Sequence, residues 1–104
     1  MIADTEVEAA LKYMAKTDEP CAKAKARVKA LEYRLKTEKA VQFLNATGTM
    51  AEKESSALAS SEYNAMVDEY ETAVYEFETM AAKRERAILT IDVWRSEQAN
   101  RRAG

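Results

Sequence analysis

The chain has 104 residues, 33% of them charged, two glycines, one proline, one cysteine, no histidine and a formal net charge of −2. That is room for one small domain, with too few turn residues for a β-rich fold, so long helices are expected. The lone Cys21 rules out an intramolecular disulfide and, with histidine absent, a thiolate or mixed Cys/His zinc site within one chain; the balanced charge does not mark the whole chain as a nucleic-acid binder.

In chain order, Thr5 followed by Glu8 reads as a capping box that opens a first helix, about 5–16. The stretch KTDEP then interrupts it. Pro20 lacks an N–H and suits the first turn of a second helix, about 20–45, which runs through Val28, Leu31 and Leu35 to Phe43 and Leu44. Gly48 fits a left-handed residue ending that helix, and Thr49 with Glu52 forms another capping box that opens a short helix, about 50–59. Ser60 or Ser61 caps the last helix, about 61–102. The region between Asn45 and Tyr63 therefore has what a chain reversal needs, and it reads as a turn rather than a binding site.

The last helix carries the clearest pattern. Val67, Tyr70, Val74, Phe77, Ala81, Arg84, Ile88, Ile91, Arg95 and Gln98 step by three and four, and Tyr63, Met66, Ala73, Met80, Ala87 and Trp94 form a second stripe beside them. An apolar face of that width exceeds the need of a two-helix seam. It predicts either a third helix packing there or, as the preferred reading, a homo-oligomer with Tyr63, Met66, Tyr70, Phe77, Met80 and Trp94 at the interface.

Charge comes in blocks. Residues 1–19 hold five acidic and two basic residues, 20–45 seven basic and two acidic, 62–79 six acidic and none basic, and 80–104 six basic and three acidic. An antiparallel hairpin sets each acidic block beside a basic one. The expected fold is thus all-α, a single domain over 1–104: an antiparallel helical hairpin or coiled coil with one very long C-terminal helix, kinked near Pro20. The basic face of the second helix is expected to be neutralised by the acidic helix opposite.

Few residues carry chemistry. The sequence lacks a GxxxxGK[ST] or GxGxxG phosphate loop and the commonest general base, so an enzyme, a cofactor and a small-molecule substrate are not expected. A carboxylate-only magnesium site is the one metal chemistry left open, and acidic pairs on exposed helix faces are usually just solvated; no metal site is assigned. Cys21 reads as a small filler near a helix start. No stretch approaches the ~20 apolar residues of a membrane span, and the acidic start MIADTEVEAALKYM lacks the pattern of a signal peptide, so a cytoplasmic setting is expected. The C-terminal VWRSEQANRR combines a stacking ring with guanidiniums. Trp94, Arg95, Arg101 and Arg102 are therefore the candidates for single-stranded nucleic acid.

A hairpin of this length resembles the small helical secretion substrates of the WXG type, but the turn reads ATGT with no tryptophan and no Tyr-x-x-x-Asp/Glu follows in the tail, so that family is rejected. Residues 31–102, above all LEYRLKTEKA and VWRSEQANRR, resemble small uncharacterised phage and prophage proteins encoded beside recombination genes. The resemblance implies a phage origin and a role around single-stranded DNA, and it carries no catalytic motif. The leading expectation is a non-enzymatic, oligomeric accessory protein of phage DNA recombination or replication, binding single-stranded DNA or the proteins that coat it. The alternative is a protein-binding module, such as a phage inhibitor of a host nuclease or defence complex.

Overall fold

A computed structural model describes residues 1–103. It contains three helices, α1 (Asp4–Asn45), α2 (Met50–Ala59) and α3 (Ser61–Ala103), and no strand among the described residues. The fold is all-α, a helical hairpin with one long C-terminal helix. The chain divides into two compact units, one made of Met1–Lys23 with the chain from Phe77 onward, the other of Ala24–Glu76. Each pairs a stretch of α1 with an antiparallel stretch of α3, and the second also contains α2.

In both units the packed residues follow a heptad. On α1 the seam positions, all buried or half-buried, are Val7, Ala10, Met14, Thr17 and Cys21 in the first unit and Ala24, Val28, Leu31 and Leu35 in the second. On α3 they are Met66, Tyr70 and Ala73 in the second unit and Phe77, Met80, Arg84, Ala87, Ile91, Trp94 and Gln98 in the first. Every step is three or four residues, which keeps one side of each helix on its partner. The seam of α3 therefore alternates between the two stripes visible in the sequence. Tyr63, Met66, Tyr70, Phe77, Met80 and Trp94, expected at an interface between copies, are all half-buried on this side of α3 within the single chain. The core is thin. Among the described residues, four of six buried apolar residues are alanines (Ala10, Ala57, Ala73 and Ala87), and Leu31 is the only large side chain fully buried. A buried leucine is worth about 1.5–3 kcal/mol and an alanine methyl well under that, so the seam relies on many small contributions.

Two expected boundaries are corrected. There is no break near Lys16 and no second helix starting at Pro20: α1 is continuous, with Pro20 inside it. Proline removes one N–H and crowds the carbonyl four residues back, that of Lys16. Lys16 and Pro20 both lie on the exposed side, where water can take that carbonyl, while Thr17 and Cys21 on the packed side continue the heptad. Thr17 Oγ1 also donates to the Tyr13 carbonyl at 2.7 Å, tying the turn before the proline. Tertiary packing on both flanks outweighs one missing bond. Nor do Thr5 and Glu8 cap α1. The helix begins at Asp4, with Glu6 and Val7 donating their N–H groups to the Ala3 carbonyl and the Ala3 N–H lying 3.5 Å from Glu6 Oε1.

The reversal uses the residues expected of it. Gly48 has φ 108°, a conformation that side chains resist, and it lies three residues beyond the end of α1 rather than directly on it. Thr49 Oγ1 accepts from the Glu52 N–H at 3.2 Å and caps α2. Ser60 accepts from the Tyr63 N–H at 3.2 Å and donates to the Ala57 carbonyl at 2.8 Å, so one hydroxyl closes α2 and opens α3. Asn64 adds a clasp by donating to the carbonyls of Leu58 and Ser60 at 3.0 and 2.9 Å. Caps of this kind contribute about 0.5–2 kcal/mol each.

A helix running unbroken through Pro20 gives a test. Pro20→Ala restores the missing bond and should raise unfolding stability by about 1–3 kcal/mol in urea melts, since interior proline costs about 3 kcal/mol and the gain in unfolded-chain freedom returns part of it. A helix starting at Pro20 would give no gain or a loss.

Candidate functional site

The four residues proposed for nucleic acid all lie on the last turns of α3, but in two separate pairs. Trp94 and Arg101, seven residues apart, share one side of the helix. Trp94 is half-buried on the seam, and its Nε1 donates to Asp4 Oδ1 at 3.1 Å. Arg101 Nη2 donates to the thioether of Met1 at 2.8 Å. Between them the Glu97 carboxylate accepts the Ile2 N–H, at 3.0 and 3.2 Å for its two oxygens. These contacts hold the first residues of the chain on the end of α3. Arg95 and Arg102, also seven apart, fall one helical position further round and are exposed; Arg95 Nη1 is 4.0 Å from Asp92. The ring that was to stack on a base is thus engaged with the N-terminus, and all three arginines are exposed, Arg101 while reaching Met1.

Arg84 is the functional-looking side chain whose role the sequence did not disclose. It occupies a seam position of α3 and its side chain is only 18% exposed. Its Nη1 donates to the Met14 carbonyl at 2.9 Å and to Thr17 Oγ1 at 2.6 Å, and its Nη2 to Asp18 Oδ1 at 2.8 Å. A guanidinium at a stripe position is the signal that marks such a residue, since a charge there must be paired or excluded. In the other unit Tyr70 donates to Glu32 Oε1 at 3.0 Å. That bond, with smaller contributions from burial and from the carboxylate's charge, raises the phenol above its ordinary value.

The basic and acidic blocks pair less than expected. Among the described residues the basic 20–45 and acidic 62–79 blocks exchange one ion pair, Arg27 Nη2 to Glu69 Oε1 at 2.8 Å, the terminal blocks exchange Arg84 to Asp18, and Lys39 reaches Glu54 of α2 at 3.6 Å. Arg34 and Glu62 lie seven residues from Arg27 and Glu69 and share their sides of the helices without closing a second pair, while Lys29, Lys36, Asp68 and Glu71 lie on the sides turned away from the seam. Within the unit of Ala24–Glu76 the acidic stretch of α3 lies opposite the basic stretch of α1, with one direct ion pair between them.

Among the described residues, two of the surface hollows are open depressions. One is lined by Ala82, Glu85, Arg86, Ile88, Leu89 and Asp92, all from α3, so it has no second wall. The other lies between α1 and α2, lined by Lys36, Lys39, Ala40, Phe43 and Glu54. Neither gathers a nucleophile with a base. Among the described residues no three carboxylate or thiol groups converge as a metal set, and no helix is long and apolar enough to cross a membrane. No protein family, curated protein or solved structure matches the chain.

Trp94 is the only tryptophan, so its environment can be read directly. Asp4→Ala should shift its fluorescence and near-ultraviolet dichroism and cost about 0.5–1.5 kcal/mol for the lost hydrogen bond. A spectrum identical to that of the wild type would show that the indole is not held by Asp4.

Proposed function

We propose that this chain is a non-enzymatic, protein-binding helical module, and that the face it offers lies on the outer side of α3 in the unit that contains both termini. The observation that carries the reading is a set of large apolar side chains placed where the fold does not use them. Leu89 is 62% exposed at the helical position farthest from the seam, and Ile88, Val93 and, on α1, Leu11 are exposed as well. Scattered single apolar residues need no explanation, but neighbouring ones on a helix whose own core is mostly alanine stand out. Glu85 and Asp92 bracket Ile88 and Leu89 along the helix. The partner chemistry that fits is a helix with an apolar stripe flanked by basic residues, docked by its side chains.

Single-stranded DNA is the less favoured ligand, because Trp94 is tied to Asp4 and Arg101 to Met1. A phage setting remains part of the proposal. Within it, the partner is a recombination protein, a protein that coats single-stranded DNA, or a host nuclease or defence complex.

Two measurements on the full chain separate the readings. Labelled oligonucleotides titrated at low and high salt should show no steep salt dependence, whereas phosphate contacts would give one. Immobilised wild-type chain should retain a host or phage protein that the Leu89→Glu, Val93→Glu double variant loses, with an unchanged melting curve. Tight, salt-sensitive oligonucleotide binding that weakens in an Arg95→Ala, Arg102→Ala variant would instead favour the nucleic-acid function.

A further inference from the structure

The unit formed by Ala24–Glu76 carries two outward faces that match each other. On α1, Lys29, Tyr33 and Lys36 stand on one stripe turned away from the seam, with Ala26, Ala30 and Ala40 beside them; all six are exposed. On α3, Asp68, Glu71 and Tyr75 form the corresponding outward stripe, also exposed. Tyr33 and Tyr75 are 74% and 72% exposed, among the most open large side chains of the chain. The two stripes belong to different helices and point away from each other, so they cannot meet within one molecule. As the sparse ion pairing shows, the opposite charges of these blocks are left largely unspent inside the chain.

Their spacings are the same in reverse. Lys29, Tyr33 and Lys36 step by four and then three; read backwards, Tyr75, Glu71 and Asp68 also step by four and then three. Laid antiparallel, as α1 and α3 already lie within the unit, the stripes bring three pairs into line. Lys36 meets Asp68, the Tyr33 hydroxyl meets the Glu71 carboxylate, and the Lys29 ammonium meets the Tyr75 ring. Each is a known attractive pairing, and the middle one repeats a bond already made inside the chain, Tyr70 to Glu32. The alanines beside the α1 stripe leave room for a second helix to approach closely.

We propose that a second copy of this chain docks there, the outer face of α3 from one molecule on the outer face of α1 from the next. The contact joins two different surfaces, so a docked pair keeps one free face of each kind. Such a contact closes into a ring or grows head to tail. Charge sets its register and orientation more than its strength, and salt weakens it. This interface is separate from the Leu89 face of the other unit, and either proposal can fail without the other.

The test uses two charge-reversed full-length variants, Lys29→Glu with Lys36→Glu, and Asp68→Lys with Glu71→Lys, with helical dichroism to verify that each folds. Sedimentation of the wild type at low salt should give a mass that rises with concentration to at least about twice that of one chain and falls back toward 11.7 kDa at high salt, as screened surface charges require. Each variant alone should stay at the single-chain mass, because its two faces now carry like charge. Mixing the two should restore assembly, since the basic face of one then fits the acidic face of the other. A wild type that stays a single chain at every concentration would overturn the proposal. So would assembly indifferent to salt and to both reversals, or a Lys29, Lys36 reversal that abolishes oligonucleotide binding while leaving the mass unchanged.

Discussion

The Arg84 fork sets the register on which the unit holding both termini depends. A guanidinium that is mostly withdrawn from water needs partners for its donors, and α1 supplies three at one level: the Met14 carbonyl, the Thr17 hydroxyl and the Asp18 carboxylate. Slide α1 by one heptad and the match disappears. One direction would present Val7, Ala10 and Leu11 to the arginine; the other would present Cys21, Ala24 and Lys25, which adds a like charge. A seam whose most deeply buried residues in this unit are Val7, Ala10, Thr17 and Ala87 discriminates poorly between registers by shape alone. The polar position does so by the cost of leaving a charge unpaired, at some expense in stability relative to an apolar residue. With that level fixed, Trp94 meets Asp4, Glu97 meets Ile2 and Arg101 meets Met1.

The same thin seam explains why the function we propose lies on the outside. The surface hollows beside Leu89 and Phe43 are open rather than enclosed. What the architecture does provide is outward helix faces of distinct character: apolar around Leu89, basic around Tyr33, acidic around Tyr75. Faces of that kind suit recognition of other helices, where a few large side chains and matched charges decide the partner.

Much of the fold was legible in the residues because local signals and the global arrangement agree. Thr49, Ser60 and Gly48 do in the structure what their side chains, or the lack of one, dictate, and the heptad steps of α3 mark its packed side. The misreadings occur where a tertiary contact overrides a local rule. Pro20 looks like a helix start by itself, yet packing at Thr17 and Cys21 carries α1 through it. Thr5 with Glu8 has the spacing of a cap, but the chain enters the helix one residue earlier, with Asp4 drawn to Trp94. The two stripes of α3 were read as two faces because periodicity alone does not say that the buried line alternates between them. Trp94 and Arg101 had the composition of a nucleic-acid site; what the residues could not disclose is that the N-terminus lies against them, a contact between positions at opposite ends of the sequence.

The claim that Arg84 fixes the pairing of α1 and α3 is tested most directly by a double-mutant cycle with Arg84→Met and Thr17→Val, measured by chemical unfolding. Both replacements keep apolar volume, so the coupling term isolates the polar contact. Residues that share a hydrogen-bond network couple by about 0.5–3 kcal/mol, and a value of about 1 kcal/mol or more is predicted here. Effects that add to within about 0.3 kcal/mol would mean that the two side chains act independently, and that something other than this fork sets the register.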